Sequence, residues 1–468
     1  MGGRGSVARP RLGRNPWILV PAGGVRDRAD AACSLPRPHT ADVTLAAALA
    51  LAALLAGAPG QETPGTSPAH PGEVLRISLI TAEPGTAVWE RFGHNALRIR
   101  NVETGADVSY NWGIFDFQQV DFVPRFLRGE MLYMMAPFRT APMLDSYRSA
   151  GRRIMIQELA LTPEQRWSLL EALEENALPQ NREYFYDYFL DNCSTRVRDA
   201  LDAALGGLLR QRFVEEPTGT SYRFHTRRLT RMDPLVYAGM DVLLGSPGDQ
   251  PISVWEEMFL PMTLMEQLRS VEVAGPDGPR PLVSAESVLD PGTPQDAAGE
   301  RPWGPEEPPT RLGWFLLAGL AVGGLMVRMA QRAVRGSVPA RVGAAALALL
   351  WTLVSGVVGT VLILVLFTDH QFMAWNENLF VMNPLSAALA VLAPLALLTG
   401  WASGWARRLA WTVLGVAVAG LLVQPLPILV QQNALFFALG LPLHAALAWT
   451  LTRVGAAGGD EPAVTTGR

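Results

Sequence analysis

The stretch Tyr188-Phe189-Leu190-Asp191-Asn192-Cys193-Ser194-Thr195-Arg196-Val197-Arg198-Asp199 decides the reading of this chain. Asp191 and Asn192 are good helix N-caps. Val197, Leu201, Leu205 and Leu208 recur on one helical face, and Gly206-Gly207 supplies a stop, so the spacing predicts a helix over 193–205. The Cys193 thiol then sits in the first turn, where unpaired backbone N–H groups and the helix dipole favour a thiolate. The chain has two cysteines. The other, Cys33, lies in an N-terminal segment expected to be absent from the mature protein. Cys193 therefore has no disulfide partner, and is either a small buried apolar residue or a thiol that is used. The capped first turn favours use.

Outward from this stretch, the 468 residues are 49% hydrophobic and only 18% charged. The charges concentrate in the middle third, and the last third is a series of long apolar runs. A net charge of −4, with no basic patch interleaved with aromatics, gives no nucleic-acid signal. Five apolar segments stand out, at about 312–327, 342–367, 385–402, 409–430 and 434–452. They approach or exceed the roughly 20 residues that cross a bilayer. Arg328, Arg332, Arg335 and Arg341 follow the first, Arg407 and Arg408 follow the third, and Arg453 follows the fifth. The alternate loops, 368–384 and 431–433, carry no Arg or Lys. The positive-inside rule puts the Arg-bearing segments in the cytoplasm and everything before the first span outside.

The N-terminus agrees with that topology. Residues 43–56 form an apolar run of signal-peptide length, followed by the A-x-A-like Ala56-Gly57-Ala58. The Arg-rich residues 1–41 fit a long n-region or a start placed upstream of the true one, and an uncleaved first helix is the other reading. The expected organisation is a leader (1–58), a linker (59–72), an exported thiol domain (73–285), a Pro-rich linker (286–310), a transmembrane domain of about five helices (311–453) and a cytoplasmic tail (454–468).

Within the exported part, 74–81 and 95–101 read as strands, Thr104-Gly105 as a turn and 107–113 as the returning strand. Residues 163–177 read as an amphipathic helix opened by Thr162-Pro163. His94 stands at the mouth of the hairpin, after Gly93, which lets the backbone turn tightly. Of six histidines, only His94 and His225 belong to this domain, and His225 reads as structural or surface. A histidine opening a strand and a cysteine opening a helix are the pair a thiol enzyme of the papain type needs. The third, orienting residue stays open among Asn95, Tyr110 and Asn111. Asp369, His370, Asn376 and Asn378, in the polar loop 368–384, are expected at the membrane surface, either as an ordinary interfacial loop anchored by Trp375 or as a patch that binds a lipid headgroup or supports the active site. The Met131–Met143 region is apolar and flexible enough to line an acyl pocket, although core packing accounts for most of it. His and Cys are too few and too scattered for a zinc site, no glycine-rich nucleotide loop opens a helix, and no cofactor is expected.

Three motifs in order carry a specific resemblance: Phe92-Gly93-His94-Asn95-Ala96-Leu97-Arg98-Ile99, then Tyr110-Asn111-Trp112-Gly113-Ile114-Phe115-Asp116-Phe117, then residues 181–199 ending in Asp191-Asn192-Cys193-Ser194-Thr195-Arg196. Together they resemble the Lnb-type family, which has an N-terminal periplasmic domain and a membrane C-terminus and includes bacterial lipoprotein N-acyltransferases. The His-before-Cys order is also similar to lecithin:retinol acyltransferase-like proteins and their circularly permuted NlpC/P60 fold. The resemblance implies an α+β, permuted papain-like (NlpC/P60-like) exported domain followed by an α-helical five-span domain. It implies Cys193 and His94 as catalytic residues, with Asp191 and Asn192 as motif members. The implied activity moves an acyl chain from a phospholipid or a diacylglyceryl lipoprotein, through a thioester, to a lipoprotein's N-terminal amine. The implied location is a bacterial inner membrane with the thiol domain on the periplasmic side. An NlpC/P60-like cell-wall peptidase or amidase, and a non-enzymatic lipid-binding protein with a structural Cys193, are the alternatives.

Overall fold

Alternation and apolar runs between residues 75 and 159 build an antiparallel sheet. In the computed structural model, which describes residues 70–115, 119, 121–289 and 307–457, the strands are β1 (Leu75–Ala82), β2 (His94–Asn101), β3 (Asp107–Phe115), β4 (Leu132–Arg139), β5 (Ile154–Leu159), β6 (Glu183–Phe185) and β7 (Val283–Leu289). They form one seven-stranded sheet in the order β7-β5-β1-β2-β3-β4-β6, with every pairing antiparallel. The leader, Cys33 and most of the 59–72 linker lie outside the described residues.

The helices of this unit that pack on the sheet include α1 (Thr140–Ser149), α2 (Pro163–Ala177), α3 (Cys193–Ala204) and α4 (Pro261–Leu268). Helix α2 spans the predicted residues because Thr162 caps Gln165 N and the Gln165 side chain returns to Thr162 N, a reciprocal capping box. Leu79, Leu97, Ile99 and Tyr110 on one sheet face pack with Leu170, Leu173, Val197, Leu201 and Leu264 from α2, α3 and α4. Ile80, Ala82 and Ala96 on the other face pack with Met143 and Tyr147 of α1. Burial on both faces explains why β1 reads as the nearly unbroken apolar run Ile77-Ser78-Leu79-Ile80. Each fully buried Leu or Val here contributes roughly 1.5–3 kcal/mol.

Two boundaries differ from the sequence reading. Residues 286–289, expected in the linker, complete β7 because they pair with β5. Residues 220–251, expected in the thiol domain, belong instead to the unit that holds the long apolar helices, together with 127–129 and 307–457. Arg223 explains the second change. Its guanidinium is fully buried and reaches Asp249 Oδ2 at 2.8 Å, Asp241 Oδ1 at 2.8 Å and the Leu244 carbonyl at 2.6 Å. A buried charge of this kind is tolerated only with such a set of partners.

In that second unit, five helices are long and apolar enough to cross a membrane. They are α5 (Leu312–Val334), α6 (Val338–Val365), the helical stretch Glu377–Thr399 that contains α7 (Leu385–Thr399), α8 (Ser403–Val423) and α9 (Ala434–Ala457). The predicted Arg-rich loop 328–341 is mostly helical: Arg328 and Arg332 ride on α5, and the turn is at Gly336. Arg407 and Arg408 likewise lie in the first turns of α8. Helix α7 alone reaches only about 22 Å at 1.5 Å per residue, and a 3₁₀ turn at Glu377–Phe380 precedes it. Small residues bring the helices together: a Cβ on Gly319 would stand 2.6 Å from the Leu439 carbonyl oxygen, and one on Gly356 would stand 2.3 Å from Ala387 N.

Candidate functional site

Helix α3 begins at Cys193 because Asn192 caps it. The Asn192 Oδ1 accepts from Ser194 N at 2.8 Å and Thr195 N at 3.0 Å, while Asn192 N donates to Thr195 Oγ1 at 2.8 Å. The Asn192 amide also donates to the Tyr188 and Phe259 carbonyls at 3.0 and 2.9 Å, so the cap is locked from two other segments. Asp191 forms a two-pronged ion pair with Arg196, at 2.5 and 2.6 Å. Burial still raises its carboxyl, to about 6, against the pull of Arg196.

Strand β2 meets this helix start through Asn95. Its side-chain amide donates to Ser194 Oγ at 3.1 Å and to the Pro261 carbonyl at 3.3 Å, and its Oδ1 accepts from Thr81 Oγ1 at 2.8 Å. Ser194 Oγ in turn donates to the Met258 carbonyl at 2.6 Å. The residue after His94 thus clamps the residue after Cys193. The backbone N–H of Asn95 also reaches the Cys193 sulfur, as do those of Ser194 and Cys193 itself. On β3, a bulge between Asn111 and Ile114 includes Gly113 at φ 90°, whose missing Cβ would stand 3.8 Å from Cys193 Cβ. A β-bulge re-aims neighbouring side chains.

Asn111 is the residue that holds His94. Its Oδ1 lies 3.1 Å from His94 Nε2. The amide orientation follows from its other end, where Nδ2 donates to the Ser109 carbonyl at 3.0 Å and to Met143 Sδ at 3.1 Å. An acceptor facing Nε2 requires the proton on Nε2, so neutral His94 carries its lone pair on Nδ1, the form of a general base. Of the other two residues left open, Asn95 positions the helix, and Tyr110 is a core residue whose hydroxyl donates to Glu174.

The electrostatics differ from the simple helix-dipole expectation. Burial pushes the Cys193 thiol above its usual range, and the three backbone N–H groups and the Arg152 charge pull it down by less. Burial, then the positive charge of Arg152, lower His94 to about 4, against the Asn111 bond. The resting pair is therefore a neutral thiol and a neutral imidazole. Proton transfer would accompany attack by sulfur, rather than precede it as a standing ion pair.

Arg152 was not legible in the sequence. It is buried, donates to the Glu83 carbonyl at 2.7 Å, pairs with Glu90 at 3.5 Å and lies 4.8 Å over the Tyr147 ring. Tyr147 in turn lies 6.1 Å from the His94 ring. Tyr133 and Tyr186, stacked at 4.0 Å, also lie within electrostatic reach of the sulfur. Met131, Met134, Met135 and Met143 are all buried, and Met143 supports Asn111.

The polar loop resolves into two parts. Asp369 is exposed and His370 half-buried, and Asp369 N donates to the Arg128 carbonyl at 2.7 Å. Asn376 and Asn378 are not part of a surface patch. Both are buried, and their amides donate to the Val242 and Leu243 carbonyls at the end of the helix Pro234–Leu243, groups that helix geometry leaves unpaired. Glu377 between them is also buried and accepts from Val430 N, Gln431 N, Ser246 Oγ and Gln424 Nε2 at 2.9–3.1 Å. His225 is buried against Thr220 and Arg228, a structural role. Among the described residues no group of three or more His, Cys, Asp or Glu side chains could hold a metal ion.

Residues 69–228 match the family model described as the Lnb N-terminal periplasmic domain, and residues 315–451 match the Lnb transmembrane domain. The chain belongs to the Lnb family. Comparisons with curated proteins and with solved structures returned no match. Membership makes this a membrane protein with a periplasmic domain. The Lnb N-terminal match contains His94, Asn111, Arg152 and Cys193.

Proposed function

We propose that this protein is a thiol acyltransferase of the inner membrane that passes a fatty acyl chain through Cys193 to the N-terminal amine of lipoproteins. The observation that carries the reading is the Asn111–His94 bond, which leaves the Nδ1 lone pair as a base beside the strand whose next backbone N–H reaches the Cys193 sulfur. Family membership and the five membrane-length helices support lipid substrates, because donor and acceptor would both reside in a bilayer.

The chemistry follows from these groups. His94 takes the thiol proton as sulfur bonds to the ester carbonyl carbon of a phospholipid or a diacylglyceryl group. The oxyanion forms where the Asn95 and Cys193 N–H groups converge. Collapse breaks the ester C–O bond, and the departing glycerol oxygen takes the proton from the imidazolium, leaving a Cys193 thioester. The acceptor amine then attacks the thioester and gives its proton to His94. The thiolate leaves and is reprotonated, and the product is an amide. A cell-wall peptidase would use the same pair, but five membrane helices serve no purpose in it.

The deciding experiment is the intact mass of the protein after incubation with phospholipid or diacylated lipoprotein, for wild type, Cys193→Ser and His94→Ala. A hydroxylamine-sensitive gain of one acyl chain, absent from both variants, is expected. Labelling of the thiol at alkaline pH without any acyl gain would redirect the reading to peptidase chemistry. No acyl gain, together with a thiol that stays unlabelled even at alkaline pH, would make Cys193 structural.

A further inference from the structure

The helix Pro234–Leu243 lies outside both family matches, which end at 228 and resume at 315. Its sequence, Pro-Leu-Val-Tyr-Ala-Gly-Met-Asp-Val-Leu, is apolar on almost every side. One side has partners: Tyr237 and Val242 are buried with Trp351, Leu362, Val381 and Phe436 from the membrane-length helices and their connections. Among the described residues the other side is open at two apolar positions. Leu235 is 86% exposed and Met232, just before the helix, is 75% exposed.

Three ties set the level of this helix. Arg311, the residue before α5, donates to the Arg231 carbonyl and lies 4.5 Å over the Tyr237 ring. Asn376 and Asn378, ahead of α7, hold the Val242 and Leu243 carbonyls. Arg227, in the preceding helix, donates to Gln432 just ahead of α9. The starts of the first, third and fifth spans lie on one side of the bilayer by simple alternation, so all three ties fall at one membrane face. Trp314 and Trp375, 73% and 77% exposed, mark the same level. Exposed tryptophans are typical of membrane–water interfaces.

We propose that residues 231–244 form an interfacial element, with Met232 and Leu235 inserted among the lipids of the periplasmic leaflet beside the entry of α5. The occupant is lipid rather than protein because Arg311 ties this helix to the start of the first span, where Leu312 and Trp314 are exposed apolar residues of a membrane-length helix. A short apolar helix lying in the interface plane is a known physical solution for such a face.

The test uses the full chain in phosphatidylcholine/phosphatidylglycerol nanodiscs. Cys33→Ser and Cys193→Ser remove the native thiols, and Leu235→Cys or Met232→Cys carries an environment-sensitive nitrobenzoxadiazole label, with Glu103→Cys as the aqueous control. Blue-shifted emission at both sites is expected, with several-fold stronger quenching by a nitroxide on the lipid headgroup or upper acyl chain than at Glu103→Cys. Water-like emission quenched only by aqueous nitroxide would overturn the proposal. So would blue-shifted emission that no lipid nitroxide quenches, which would mean that a second copy or another protein covers the face.

Discussion

Replacing Asn111 by Asp tests the electrostatic state of the site directly. The side chain keeps its size, and a carboxylate oxygen would face His94 Nε2 where Oδ1 now lies at 3.1 Å. An opposite charge at that range raises a histidine by roughly one to three pH units, or about 1.4–4 kcal/mol in favour of the imidazolium. Starting from about 4, His94 would move to roughly 5–7. The reaction needs His94 neutral, so the acid limb of the acylation rate should follow. At pH 5 the wild type keeps most of its neutral imidazole, while the variant retains about one half to one hundredth of it. The assay is thioester formation by intact mass against pH, with the melting temperature as a check on folding. Asn111→Ala is the comparator: it removes a bond that raises His94, so its limb should not move upward. A wild-type limb near 6.5, or an Asn111→Asp limb that coincides with wild type in a folded protein, would refute the assignment of His94 as a buried neutral base held by Asn111.

Other expectations follow from the same contacts. His94 is unprotonated in the folded protein down to about 4, against 6.5 for an unperturbed histidine. Its contribution is therefore intact above pH 6.5 and lost as pH falls from there toward 4, by up to about 3 kcal/mol; His94→Gln should flatten a plot of melting temperature against pH in that window. Asn192→Ala removes the α3 cap and should cost about 1–2 kcal/mol by thermal denaturation, with slower acylation. Gly113→Ala forces a side chain into a positive-φ position and should cost roughly 1–2 kcal/mol, with acylation falling more than stability because the bulge faces Cys193. Arg223→Ala removes the ion partner of the buried Asp249 carboxylate and leaves Asp241 to Arg227 alone, and should cost about 3–5 kcal/mol, read as lost resistance to detergent or heat.

Much of the fold is written in local pattern. Thr162-Pro163 announces a helix start, and α2 begins there, with Gln165 completing a capping box to Thr162. Cys193 likewise opens its helix because Asn192 is beside it. What escaped the sequence was what depends on distant partners. Asn95 and Asn111 are both polar residues in one hairpin. Only the sheet register and the bulge at Gly113 decide that Asn111 meets the imidazole while Asn95 meets Ser194. Arg152 acts from a turn whose neighbours are Glu83 and Glu90, far away along the chain. Asn376 and Asn378 look like surface residues until the helix that needs their amides is known.

The way the chain alternates between its two units has a consequence for biosynthesis and for dissection. Residues 220–251 leave the ribosome before any of the five long helices, yet their packing partners include Trp351, Phe372, Asn376 and Phe436. That segment has to wait, incompletely buried, until the last span is made. A truncation that ends before residue 310 would therefore not be a clean soluble domain. It would carry a piece of the membrane unit, with Tyr237 and Val242 stripped of their cover, and solubility problems in such a fragment would originate there rather than at Cys193.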